Sequence, residues 1–455
     1  MQPWALRSTR IVLSDRVLAG YVWVDARGRI ERVSADPPPD ERALRDVGQL
    51  VVSPGLVDCH VHVNEPGRTE WEGYATATRA AAAGGVTSLV DMPLNCLPVT
   101  TTEAALEHKL RSCEQQCWVD VGFWGGVIPG NAPELPGLAR AGVLGCKAFL
   151  VHSGIDEFPN ASEADLRAAM PILRDHGIPL LAHAELDLGS AESASAHDPR
   201  AYRGYLASRP SAWEDAAIAL LIRLARETGC HVHVVHLSAA SSLPQLAAAK
   251  DEGLPITVET CPHYLCLEAE SIPDGATEFK CAPPIRDHAN REALWRGLEQ
   301  GIIDFVITDH SPCTPQLKAR ERGHFHDAWG GIASLQLGLS TLWTNARERG
   351  ASLNDLARWT SAEPARFAGL SGRKGRIEAG YDADLVVWDP DARFEVEAER
   401  LFFKHRVSPY LGLTLHGVVK ETFLRGALVF DGERHPTGPH GEALLGRDAP
   451  LRSGA

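Results

Sequence analysis

The stretch Asp58–Arg68 reads DCHVHVNEPGR and sets His60 and His62 two residues apart, just after the apolar run Val51–Val57. Strand side chains repeat every two residues, so an HxH pair on a strand turns both imidazoles to one face. Alone, the pair suits two buried histidines bonded to backbone carbonyls as well as two metal ligands. Four more residues of ligand type weigh against the first reading. Lys147 lies in GCKAFL, His183 in PLLAHA, His236 in HVHVVHL and Asp309 in DFVITDH, each inside or at the end of a short apolar run. Imidazole and carboxylate groups held together this way are the ligands of zinc, cobalt, iron or manganese. Lys147 is the odd member, because an ammonium in an apolar strand is costly and cannot bind a cation. It either pairs with Asp309 or another carboxylate, or it adds carbon dioxide as a neutral amine. The carbamate would have two oxygens, enough to bridge two cations ~3.5–4 Å apart. His263 in TCPHYL stands next to the set, lining the site or structural. His231 and His233 lie earlier in their run and read as structural, and His324 and His326 as solvated loop residues.

These residues need a scaffold that brings distant positions to one rim. Eight candidate strands cover 55–62, 87–92, 119–126, 145–150, 179–184, 231–237, 256–261 and 304–310. Helical patterns at 75–85, 163–177 and 214–229 lie between them. Strands alternating with helices imply parallel βαβ units, and eight of them imply a closed (β/α)₈ TIM barrel. The C-terminal ends of its strands share one mouth, where barrels keep their chemistry. Long polar stretches at 187–213 and 311–330 follow two of those ends. Both chain ends are β-rich instead, with a hairpin over 21–33 turning at Arg27-Gly28.

Composition narrows the function classes. A formal net charge of −14 disfavours a nucleic acid partner, and no Lys/Arg-rich run suggests a membrane surface. No window offers the ~18 apolar residues of a membrane helix. The first residues lack the apolar core of a secretory signal. Ten cysteines are scattered without a CxxC pair, Cys113 and Cys117 being spaced as neighbours on a helix. A cytoplasmic protein with free thiols is the expectation. No GxSxG elbow, P-loop or GxGxxG after a strand is present.

The motifs SPGLVDCHVHVNEPG, AAAAGGVTSLVDMPLN, KAFLVHSGIDEFP, LLAHAE, VHLSAA, ETCPHYL, KCAPPIR, ITDHSPC and GRIEAGYDADLVVWD together span nearly the whole chain. In them the sequence resembles the cyclic amidohydrolases, which include dihydroorotases, dihydropyrimidinases or hydantoinases, and allantoinases. HVNEPGRTEWEGY and WGGIASLQLGL look most like the allantoinase branch. The resemblance implies a barrel over 54–375 and a β-sandwich built from 1–53 and 376–455. It implies that His60, His62 and Asp309 hold one metal, His183 and His236 a second, and that carboxylated Lys147 bridges them. It further implies a small-molecule substrate, ring-amide hydrolysis with Asp309 as the proton carrier, and a homotetramer. Dihydroorotases carry HxHxR and use that arginine for a substrate carboxylate. Asn64 at this position favours a neutral ureido-hydantoin such as allantoin. Asn64, Asn95, His152 and the backbone around Cys281 and Gly331 are the expected substrate contacts, with Arg68 a weaker candidate. His152 stands where hydantoinases carry a tyrosine, which leaves the helper for the oxyanion open. A hydantoinase or dihydropyrimidinase is the alternative, and a non-catalytic scaffold of the same fold a distant one.

Overall fold

The structure, a computed structural model, describes residues 1–38, 42–189 and 198–446. The polar stretch expected after the fifth barrel strand therefore lies partly outside the described residues, at 190–197. The N-terminal segment forms β1 (Trp4–Val12), β2 (Val17–Val24), β3 (Ile30–Ser34), β4 (Ala43–Asp46) and β5 (Val51–Pro54). The barrel strands follow: β6 (Leu56–Val61), β7 (Val86–Asp91), β8 (Asp120–Phe123) continuing as β9 (Gly125–Gly126), β10 (Cys146–Phe149), β11 (Leu180–His183), β12 (Val232–Val234), β13 (Ile256–Thr260) and β14 (Phe305–Val306). Their mutual pairings are all parallel. The ring closes where Val61 bridges to His310 and where Leu144 N–H donates to Phe123 O at 3.0 Å.

Each of the eight expected runs is found, with three changes. The third splits at Trp124, whose indole donates to Cys59 O at 2.7 Å. The sixth and eighth are short, because the chain leaves the ladder before its functional residue. His236 and Asp309 both take positive φ, 39° and 45°, which a strand cannot accommodate. The connecting helices follow their apolar spacing. Glu163–Asp175 buries Leu166, Ala169, Met170 and Leu173, and starts on a capping box in which Ser162 and Asp165 bond each other's backbone N–H. Ser211–Thr228 ends at Gly229, left-handed at φ 69°. Below the mouth, Phe367 stacks on His233 at 3.9 Å and lies 5.5 Å from both Trp124 and Phe305, filling the barrel floor.

The remaining strands, β15 (Leu385–Glu395), β16 (Thr414–Leu424) and β17 (Ala427–Phe430), join the N-terminal ones in one mixed sheet of order β17-β16-β15-β5-β1-β2-β3, with β4 on β1. β1 has an irregularity between Ser8 and Ile11, pairing with β4 before it and β5 after it. The bend lets the sheet fold over. Trp4 reaches Phe423 at 5.0 Å, and Arg45 on β4 pairs with Glu421 on β16, contacts a flat sheet in that order could not make. Leu6, Val22, Val52, Leu385 and Phe423 share the core between the layers, as the expected sandwich requires. A last strand, β18 (Ala443–Leu444), adds to the free side of β8.

Candidate metal centre and adjoining cavity

His60 and His62 leave β6 facing one way, as the two-residue period demands. Their outer nitrogens are fixed by different partners. His60 Nδ1 lies 2.6 Å from Glu259 Oε1, and His62 Nδ1 lies 3.0 Å from the Leu94 carbonyl. With Nδ1–H donating outward, each ring presents a lone pair at Nε2. Both Nε2 atoms face Asp309 Oδ1, at 3.4 and 3.7 Å. Neighbouring carboxylates anchor the backbone here. Asp58 accepts from His60 N–H, Thr308 N–H and the Thr308 hydroxyl, tying β6 to the segment before Asp309. Asp91, paired with Lys109 at 2.8 Å, accepts from Val63 N–H.

The second pair is His183 and His236, whose Nδ1 and Nε2 lie 3.0 Å apart. His183 Nε2 meets Glu185 Oε2 at 2.6 Å, and Glu185 is itself held by Arg209. Nδ1 of His183 is therefore a lone pair aimed at His236. Phe149 stacks on the His183 ring at 4.6 Å and fixes its plane. Asn64, His236 and Asp309 sit at φ 66°, 39° and 45°, backbone conformations that cost ~1–3 kcal/mol each in non-glycine residues and gather at functional sites.

Lys147 lies between the groups, fully buried, with no hydrogen-bond partner for its Nζ. Burial pushes its ammonium down to about 8, despite Glu259 and Asp309 nearby. The paired-lysine expectation is not met by any direct salt bridge among the described residues. Burial likewise holds His60 and His236 well below the usual imidazole range and His62 at about 3, so all are neutral donors at ordinary pH. Four imidazole lone pairs, a carboxylate and an orphaned buried lysine nitrogen converge on one volume. That donor set fits divalent cations, and two-oxygen substitution of Lys147 fits the unpartnered nitrogen.

A cavity of about 260 Å³ opens beside these groups. His60, His62, Lys147, His183, His236 and Asp309 all line it. Asn95, His152 and Gly331 also reach it. Asn64 and Cys281 are placed one layer back. The Asn64 carboxamide donates to Pro312 O at 3.3 Å and accepts from Asn95 Nδ2 at 3.1 Å. Cys281 turns its carbonyl to the Tyr205 hydroxyl at 2.7 Å. The Gly331 N–H donates to Lys280 O at 2.9 Å, so it serves the loop. Arg68 bonds Asn95 O and Glu157, which makes it a support of Asn95. His152 sits at the rim with its ring more than half exposed.

His263 is buried with both ring nitrogens unpartnered, close to Cys261 and Asp309 but off the cavity wall. His231 and His233 bond Thr257, and His233 also reaches Glu259. Glu259, Glu185, Arg209, Tyr205, Lys280 and Trp329 escaped the sequence reading. Glu259 carried a usable signal, a charge inside the apolar strand ITVET, of the same kind that singles out Lys147.

The Amidohydrolase family profile matches residues 51–429. The chain is 51% identical to an allantoinase of Streptomyces avermitilis, covering 96% of this chain and 98% of that protein. It is 46% identical to the allantoinase of Arabidopsis thaliana, covering 97% and 90%, and 44% identical to that of Saccharomyces cerevisiae, covering 88% of each. In three dimensions it is similar to the L-hydantoinase (dihydropyrimidinase) of Arthrobacter aurescens, with TM-score 0.92, 28% identity and coverage of 98% and 100%.

Proposed function

The chain belongs to the amidohydrolase family, and from that premise we propose that it hydrolyses the hydantoin ring amide of allantoin to give allantoate. The observation that carries the reaction class is the buried, unpartnered Lys147 nitrogen among His60, His62, His183, His236 and Asp309. The substrate is supported by allantoinases 44–51% identical over most of the chain. His60, His62 and Asp309 would hold one divalent cation and His183 and His236 another, with Lys147 between them as the N6-carboxylated side chain. Two cations supply, when bound, a water acidic enough to deprotonate near neutral pH and a Lewis acid for the ring carbonyl. The protein's own groups do the rest. Asp309 accepts the proton of the attacking water on a carboxylate oxygen and returns it to the departing ring nitrogen. Asn95, steadied by Asn64 and Arg68, meets the ring amide, and His152 is the substrate contact at the rim, its Nδ1 accepting from Gly154 N–H and its Nε2 facing Asp156. Opening the ring amide yields a carboxylate and leaves the proton on the departed nitrogen.

Zinc suits this imidazole and carboxylate set, with cobalt, iron or manganese as the other candidates. The same reading divides the chain into a hydrolase barrel over 54–375 and a second domain from 1–53 and 376–455. It takes the enzyme to be a cytoplasmic homotetramer acting in ureide breakdown, without nucleic acid or membrane partners. Among the described residues no helix is long and apolar enough to cross a membrane, and all ten cysteines are free thiols.

The test is a panel of allantoin, hydantoin, dihydrouracil and dihydroorotate with metal-reconstituted protein. Allantoin is expected to give the highest kcat/KM. A higher value for hydantoin or dihydrouracil would move the assignment to the hydantoinases, whose fold this chain shares. In parallel, Lys147→Ala should lose bound metal and activity and regain part of both with added short-chain carboxylic acids. Intact mass without the added carbon dioxide in a protein holding both metals would sink the carbamate.

A further inference from the structure

One wall of the cavity is cationic without a matching carboxylate of its own. Lys280 lines it and is only 9% exposed, on the segment after the short helix Pro262–Cys266. Its Nζ donates to Ala328 O at 2.6 Å and His326 O at 3.2 Å, and lies 4.9 Å over the Tyr205 ring. Among the described residues no carboxylate forms a salt bridge with it. Arg209, the neighbouring cation, spends its charge on Glu185 behind His183. Burial, with Lys318 and Arg209 close by, lowers the Lys280 ammonium to about 7, so the charged form with its three donors is held below that pH. An ammonium has three donors. Two are used on the loop that carries Trp329, and the third has no oxygen or nitrogen acceptor among the described residues, only the Tyr205 ring face nearby.

Metal-binding groups do not explain Lys280, which reaches neither His nor Asp of the centre. Lys280 holds that loop at the Ala328 and His326 carbonyls, and Lys318 holds it at a different one, so the two lysines share the loop but only Lys280 faces the cavity. Lys318 Nζ donates to Lys280 O at 3.1 Å and Trp329 O at 3.0 Å from outside the cavity lining. A buried cation kept at the wall of a binding cavity with a free donor fits an electron-rich oxygen on the ligand. The ring atoms of a hydantoin belong beside the metal ligands. Of the oxygens that are not attacked, the second ring carbonyl is shared with unsubstituted hydantoin and the ureido carbonyl is not, so only the latter can make Lys280 selective.

Resting on the allantoin reading above, we infer that Lys280 is a specificity-determining residue whose free N–H binds the carbonyl oxygen of the ureido substituent. A ring without that substituent leaves the donor unpaired in a dry wall, so the site disfavours it.

The experiment compares wild type, Lys280→Met and Lys318→Met as metal-loaded full-length proteins. It measures kcat/KM for allantoin and the competitive inhibition constant of unsubstituted hydantoin. Lys280→Met should lower kcat/KM for allantoin by ~10–100-fold, the size of one charge-assisted hydrogen bond, while the hydantoin constant moves less than ~3-fold. Lys318→Met, which loosens the same loop, should shift both together. Loss of the two by one factor in Lys280→Met, no loss for allantoin, or the same selectivity in Lys318→Met would each overturn the assignment to Lys280. Wild type that fails to hydrolyse allantoin would instead overturn the reading on which it rests.

Discussion

Glu259 serves two imidazoles and the backbone of a third histidine at once. Its Oε1 takes the His60 Nδ1 hydrogen at 2.6 Å, its Oε2 meets His233 Nε2 at 3.0 Å, and the His236 N–H reaches Oε1 at 3.3 Å. Buried completely, it is pushed up to about 8 with Lys147 the main opposing influence. A bound cation set would stabilise its charge, and the carboxylate in turn fixes which His60 nitrogen carries hydrogen. Glu259→Gln keeps the shape but turns an amide donor toward one of two ring N–H groups. His60 then loses its preferred tautomer or His233 its partner. Metal affinity should fall ~10–100-fold, read by chelator competition on the apo protein titrated with zinc or cobalt. Affinity unchanged within ~2-fold would mean that His60 is oriented by packing alone.

At the scale of elements, the short length of β12 and β14 matters more than their sequence. Each strand ends early so that a ligand can sit on left-handed backbone, and the following loop must then be pinned. After β12 the pin is Glu214, reached from the helix Ser211–Thr228. Its carboxylate accepts from Ser238 N–H and Ala239 N–H at 3.0 Å each and from Arg286 at 2.7 Å. Glu214→Ala leaves Arg286, 9% exposed at its side chain, as a buried cation without its carboxylate. A cost of ~3–5 kcal/mol follows, visible as a lowered urea midpoint, with a weaker second metal because His236 precedes the freed segment. A stability loss under ~1 kcal/mol would show that Ser238 and Ala239 are held by the remaining contacts. These pins mark the boundary of what the sequence made legible. His60, His62, Lys147, His183, His236 and Asp309 stood out because polar groups at the ends of apolar runs contradict their surroundings. Glu185, Arg209, Glu214 and Arg286 come from loops and a helix face where charge is ordinary, and only the fold makes them neighbours. Asn64 was visible as a neighbour of the HxH pair, but its left-handed backbone turns the carboxamide to Asn95 instead of the cavity. The barrel was readable from alternation, whereas the fold-over of the terminal sheet depends on the irregularity in β1, which leaves no pattern in residue type.

For the whole molecule, one buried lysine forms a charged cluster at the joint between barrel and sandwich. Lys374 is surrounded by Asp120 of β8 at 2.6 Å, Asp384 at 2.7 Å and Asp382 at 2.9 Å, all beyond the reach of solvent. Arg425 adds a second cation to Asp120. The three carboxylates also converge closely enough to suggest a metal, but the Lys374 ammonium already occupies their midpoint. Burial alone would raise Asp120; Lys374 and Arg425 more than offset it and hold the group below its ordinary value. Asp384 stays raised, burial outweighing Lys374. The signs fix a pH dependence. A carboxylate with a depressed folded value stabilises above its unfolded value near ~4 and loses that contribution as pH falls through the lower one. Wild type should therefore lose the Asp120 contribution on the acid side of pH ~4, whereas Asp384, raised, acts with the opposite sign and costs stability as pH rises above ~4. Lys374→Met removes the central charge, so the carboxylates rise and their burial penalty is greatest where they are ionised. The variant should be ~3–5 kcal/mol less stable at pH 7, and the gap to wild type should narrow as pH falls toward ~4. Thermal unfolding of both proteins at several pH values reads this directly. A gap that stays constant with pH would mean that Lys374 holds the joint by packing, and that the three aspartates are neutralised by other means.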